Sequence, residues 1–247
     1  MSTQMLNDRT FADTNVGAAN RDVAAMSYVG VVGKTLVLLT LTVIAAAFGW
    51  NNALRWFSPT SGLLFFVGYL ILMMLTFAAV KNPTAAAGAG VVYAVLMGGW
   101  MGAISRVYEQ YYDGIVGQAI LTSLCVFLAC LFLYGFRIVK VTNKFAGTVI
   151  GALVGLMVLY LVAFVISLFG VDLVFLNAPT PLGIGIAIGI AVLAALTLFL
   201  DFAVIETGVT RGASKSFEWY CAYGLQSSLV WLYIEVLRVL ALLRGVQ

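Results

Sequence analysis

Histidine is absent from the 247-residue chain, only 9% of its residues are charged, and it has four prolines and three cysteines. Each shortage excludes something. Without histidine there is no imidazole to bind a metal or to titrate near neutrality, so any pH sensing falls to a carboxylate whose titration is moved by burial or by a like-charged neighbour. Cys125, Cys130 and Cys221 show no CxxC spacing, which removes the usual zinc arrangements and leaves buried free thiols. Pro59, Pro83, Pro179 and Pro181 fall in connections or first helical turns, where a missing N–H does no harm. The scarcity of charge has the largest consequence. With 63% hydrophobic residues and a mean hydropathy of +1.06, the chain has too little polar surface to cover a water-soluble globule.

What is present is a series of long apolar runs. A spanning helix needs about 20 mostly apolar residues, and that window predicts seven transmembrane helices near residues 29–50, 61–80, 84–105, 115–136, 146–169, 182–206 and 219–243. The expected fold class is an all-α integral membrane protein. Residues 1–27 carry Asp8, Arg9, Asp13, Arg21 and Asp22 among small polar residues and read as a soluble cytoplasmic tail with no signal peptide, ahead of a seven-helix domain over 28–247.

Basic residues set the expected orientation. With the N-terminus inside, the inner segments hold Arg9, Arg21, Lys34, Lys81, Arg137, Lys140, Lys144, Arg211 and Lys215, and the outer ones only Arg55, Arg106 and Arg244. Cytoplasmic loops collect Lys and Arg, so the chain is expected N-in and C-out. The net charge of +3 is ordinary for such a protein and gives no reason to expect nucleic-acid binding.

Small residues recur at four-residue spacing: Gly147, Gly151 and Gly155; Gly185 and Gly189; and a third set at Gly88, Gly90, Gly98, Gly99 and Gly102. Close helix packing is the expectation at all of them, because glycine lets backbones approach where lipid offers no hydrophobic drive.

Two carboxylates interrupt the last apolar runs. Asp201 stands in AALTLFLDFAVIE and Glu235 in SLVWLYIEVLRVLALL. A charge at the bilayer centre costs about 2.5–3.5 kcal/mol on insertion scales, so such residues face a bundle interior, pair with something, and commonly serve transport. Arg238 follows Glu235 by three residues, on the same helical face, and is its expected ion-pair partner. The last span also carries Gln226, Ser227, Ser228 and Tyr233, which places it in the middle of the bundle, wrapped by the other six. Glu206 and Glu218 lie nearer the interface and read as solvated. Glu109 and Asp113, in the outer connection RVYEQYYDG, are candidates for an external mouth that concentrates cations, with a solvated loop as the plainer alternative.

The pattern LDFAVIETG, followed by EWYCAYGL and WLYIEVLRVLALL, resembles the transmembrane BAX inhibitor motif family, also called the Bax inhibitor/YccA family, and GAISRVYEQYYDGIVGQAILTSLCVFL is similar to its third-to-fourth span region. The chain resembles a bacterial-type member, which implies the bacterial inner membrane. The resemblance implies a central seventh helix between two layers of three, acting as a pH-sensitive calcium leak. It further implies that Asp201 and Glu235 approach each other, share a proton or bind calcium, and gate the path. Two carboxylates within about 4 Å cannot both ionise cheaply, so proton loss can trigger opening, and calcium would relieve the same repulsion. The chain differs from the family pattern in carrying glutamate at position 235, Arg238 where an uncharged amide is common, and no arginine in the span over 61–80, which makes Arg238 the candidate latch. The pair would stand at one depth if SKSFEWYCAYGL were an interfacial or cytoplasmic helix turn and the last helix entered the membrane near Gln226.

The expected partners are therefore the lipid bilayer and Ca2+ or H+, with no obligatory cofactor. No lysine for a retinal Schiff base occurs in the last span, and no motif supports intramembrane catalysis, so no enzyme activity is expected. The alternative function is a membrane interaction protein that regulates a membrane protease or other membrane complex, a role the resemblance also implies.

Overall fold

A computed structural model describes residues 25–56, 68, 85–169 and 178–245. They form six helices: α1 (Tyr28–Trp56), α2 (Ala86–Tyr111), α3 (Ile115–Gly135), α4 (Asn143–Leu168), α5 (Pro181–Thr210) and α6 (Phe217–Arg244). All six contain stretches long and apolar enough to cross a membrane, because each is an uninterrupted run of about 20 or more largely apolar residues. They coincide with six of the seven predicted spans. Apart from Gly68, the span expected over 61–80 lies outside the described residues, as does most of the 1–27 tail, so six spanning helices stand among the described residues where seven were expected in the chain.

The helix ends follow local chemistry. Ser27, Thr142 and Thr180 each accept a hydrogen bond from the backbone N–H three residues on, at Gly30, Phe145 and Gly183, over 3.0–3.2 Å. These are N-caps of α1, α4 and α5. Pro181 occupies the first position of α5, where its fixed φ suits the helix. The other end of α5 closes on Gly212 at φ 64. There Gly212 N–H donates to Val209 O and Ala213 N–H to Gly208 O, the paired bonds of a Schellman stop.

The chain divides into two compact units, with α5 and α6 each contributing residues to both. In the unit containing α1, α2 and residues 201–227, α1 and α2 pack backbone against backbone. A Cβ added at Gly98 would lie 2.9 Å from Thr42 Cα, and one at Gly102 would lie 2.7 Å from Ala46 Cα. Both are closer than real carbons come. Leu38, Ala94, Ala222 and Phe217 fill the interior of this unit, and Tyr93 meets the Tyr223 ring edge to face at 5.2 Å.

In the other unit, Ile115, Ala119, Leu198, Leu232 and Leu237 are fully buried. Phe145 of α4 sets its ring across Phe199 of α5. Arg244, at the end of α6, donates to the Asp113 carbonyl and to Gln118 Oε1, both at 2.8 Å.

The glycine expectation divides accordingly. At Gly98 and Gly102 close approach is real, whereas Gly147, Gly151, Gly155, Gly185 and Gly189 are exposed, with no described atom within 4 Å of an added Cβ. Four-residue spacing marks one face of a helix, but lipid and a neighbouring helix are both apolar, so spacing alone does not say which of the two that face meets.

Candidate functional site

α5 brings Asp201 to the surface of α6. Its Oδ1 lies 3.3 Å from where a Cβ on Gly224 would stand, so the missing side chain at 224 provides the room for the carboxylate. On another side of the same stretch of α6, Gln226 is fully buried and its Nε2 donates to Thr42 Oγ1 at 2.7 Å. Thr42 in turn donates its hydroxyl proton to Leu38 O at 2.9 Å. That relay fixes the amide orientation, because a threonine that has already given its proton can only accept.

Glu235 occupies a different setting. It is 5% exposed; Trp231 Nε1 donates to its Oε1 at 3.2 Å, and Arg238 Nη1 stands 3.5 Å from its Oε2. The same Arg238 nitrogen donates to Tyr160 Oη of α4 at 2.9 Å. The spacings 231, 235 and 238 put all three α6 side chains on one helical face, which is why an indole, a carboxylate and a guanidinium meet there. Glu235 thus has a fixed cation beside it.

The residues of the expected shared-proton pair are divided between the two units. Position 224, beside Asp201, and Glu235 are separated along α6 by eleven residues, about 16 Å of helical rise. The expectation of a common depth has SKSFEWYCAYGL as an interfacial or cytoplasmic helix turn, with membrane entry near Gln226. α6 is one helix from Phe217 onward, and Asp201 lies beside Gly224, near its beginning. Asp201 belongs to one compact unit and Glu235 to the other.

Glu109 is half-buried in the last turn of α2, and Asp113 is exposed in the turn that follows. Nearby on α2, Arg106 lies over the Trp50 ring, 5.3 Å from its centroid. Among the described residues, no three His, Cys, Asp or Glu side chains gather closely enough to hold a metal ion.

The acid that sequence reasoning misplaced is Glu218. Expected to be solvated, it is instead fully buried. Ser27 N–H donates to its Oε1 at 2.9 Å, Ser27 Oγ approaches the same oxygen at 3.2 Å, and Lys34 Nζ pairs with Oε2. Lys34 also lies 5.4 Å from the Trp219 ring centroid. A lysine nearly two turns inside an apolar run was the available signal, since such a charge requires a partner.

A family model described as Bax inhibitor 1 like matches residues 4–245, nearly the whole chain. No curated protein and no solved structure matches it.

Proposed function

The chain belongs to the Bax inhibitor 1 like family, and from that premise we propose that it is a pH-sensitive cation leak, with calcium as the ion carried, in which Asp201 and Glu235 control flux from separate positions. Two acids within apolar spanning helices support this reading, the burial of Glu235 at 5% exposure most directly. A carboxylate is costly there and persists where it contributes to an ion or proton path.

The two acids divide the work. Arg238 beside Glu235 supplies a positive charge that opposes calcium at that position, so Glu235 and Arg238 act as a latch. Asp201, against the bare backbone of Gly224, is the acid that meets the cation. Its protonation removes the negative charge that attracts calcium, and deprotonation restores it. We place the protein in the bacterial inner membrane with its N-terminus in the cytoplasm, the orientation its basic residues favour, and with Glu109 and Asp113 at the outer mouth.

Calcium flux into liposomes of purified protein, compared at acid and neutral pH, tests this. Asp201→Asn should abolish the pH dependence between about pH 6 and 8 while folding survives, because the amide still hydrogen-bonds. Glu235→Gln should change the flux level and leave pH dependence in place. Two positions that act separately should give nearly additive effects in the double variant, within about 0.5 kcal/mol. Unchanged, pH-dependent flux in a well-folded double variant would remove both acids from the gate and leave regulation of a membrane protease or other complex as the reading.

A further inference from the structure

The N-terminal residues Ala25–Ser27 lie across the turn that joins α5 to α6. Ala25 pairs with Ser214 as an antiparallel bridge, and Met26 N–H donates to Ala213 O at 2.9 Å. The Met26 side chain is buried at 4% exposure. Its sulfur fills the notch left by Gly208, where an added Cβ would stand 2.8 Å away, next to the Phe217 ring at 3.2 Å. Ser27 then gives its backbone N–H to Glu218 in the first turn of α6, and its hydroxyl sits on the same oxygen. Nearly two turns into α1, Lys34 takes the other carboxylate oxygen. Gly30 fits the same design, since a Cβ there would overlap the Glu218 carboxylate.

Two chain segments about 190 residues apart, 25–34 and 208–218, therefore converge around one buried charge. The residues on either side of Met26 are exposed, as are Arg211 and Lys215 in the turn, so at this end of the unit a short strip of backbone, the Met26 side chain and one carboxylate join the segments among the described residues. We propose that residues 25–27 are a strap, buckled by Glu218, that holds the α5–α6 turn and the first turn of α6 against α1 and must leave before that end of the unit can open. Nothing in the proposed leak requires it, and its test does not involve flux.

The strap leaves in two distinct ways. Glu218→Gln keeps an acceptor for Ser27 but removes the charge opposite Lys34, and Gly30→Ala keeps every charge but pushes a methyl into the carboxylate. Limited trypsin digestion of the full chain in detergent, with cuts mapped by mass, reads the opening after Arg211 and Lys215. Cleavage of a transiently opened segment tracks the population of the open form, and breaking a charge-assisted bond raises that population at least about tenfold. Both variants should be cut at least about tenfold faster than the parent. A disulfide between Ala25→Cys and Ser214→Cys, with Cys125, Cys130 and Cys221 replaced, should return either variant to the parent rate. If one variant does not purify as a monodisperse protein, Ser27→Ala takes its place with an expected severalfold increase. Equal rates in parent and variants, or a disulfide that fails to slow the variants, overturns the strap.

Discussion

At the scale of single residues, Glu235 and Arg238 show what a buried charge requires. Glu235 is held by an indole N–H and by a guanidinium on the next turn, and Arg238 has a second anchor in the Tyr160 hydroxyl. Removing one member strands the other in a low-dielectric setting, whereas removing both does not. Arg238→Met should therefore destabilise the protein by about 2–3 kcal/mol. Adding Glu235→Leu to that variant should recover most of the loss. Thermal unfolding in detergent checks this through a double-mutant cycle, and equal, additive losses would show that the two residues do not support each other. The pairing was legible in the sequence because i and i+3 share a helical face. The Tyr160 contact was not, since nothing in the spacing relates residue 160 to residue 238.

Glycine shows how the same pattern differs from one helix to another. Gly102 in α2 has Ala46 Cα 2.7 Å from its missing Cβ, while Gly151 in α4 has no described neighbour within 4 Å. Gly102→Ala should cost about 1–3 kcal/mol by overpacking the α1–α2 contact. Gly151→Ala should be neutral or stabilising by up to about 1 kcal/mol, because alanine is the better helix former. Unfolding midpoints of the two variants under identical conditions compare them directly. A large loss at Gly151 would mean that something covers that face of α4. The helices themselves were readable as apolar runs of spanning length, and their boundaries moved by only a few residues. Which face of each helix meets protein was not readable, because a lipid-facing and a protein-facing stripe are built from the same residues.

For the molecule as a whole, orientation is the property that charge counting predicts most directly. Reporter fusions should place the N-terminus, Lys140 and Lys215 in the cytoplasm, and Asp113 and Gln247 outside. Opposite sides for the two termini require an odd number of crossings. The expected span over 61–80 must then cross the membrane together with the six described helices. A cytoplasmic Gln247 with Lys140 outside would remove that span from the count.

By itself the sequence determined that this is an all-helical membrane protein, approximately where its described helices begin and end, and that Asp201, Glu235 and Arg238 needed explaining. Those properties follow from composition and from periodicities of one turn, which are local and survive without coordinates. Tertiary structure decided what each charge meets. It put Asp201 against Gly224, and it buried Glu218 under a segment about 190 residues away in the chain. It also separated packed glycines from bare ones. The physical reason is that partners distant along the chain are chosen by the rotation and level at which helices pack, and a hydropathy pattern carries no record of either.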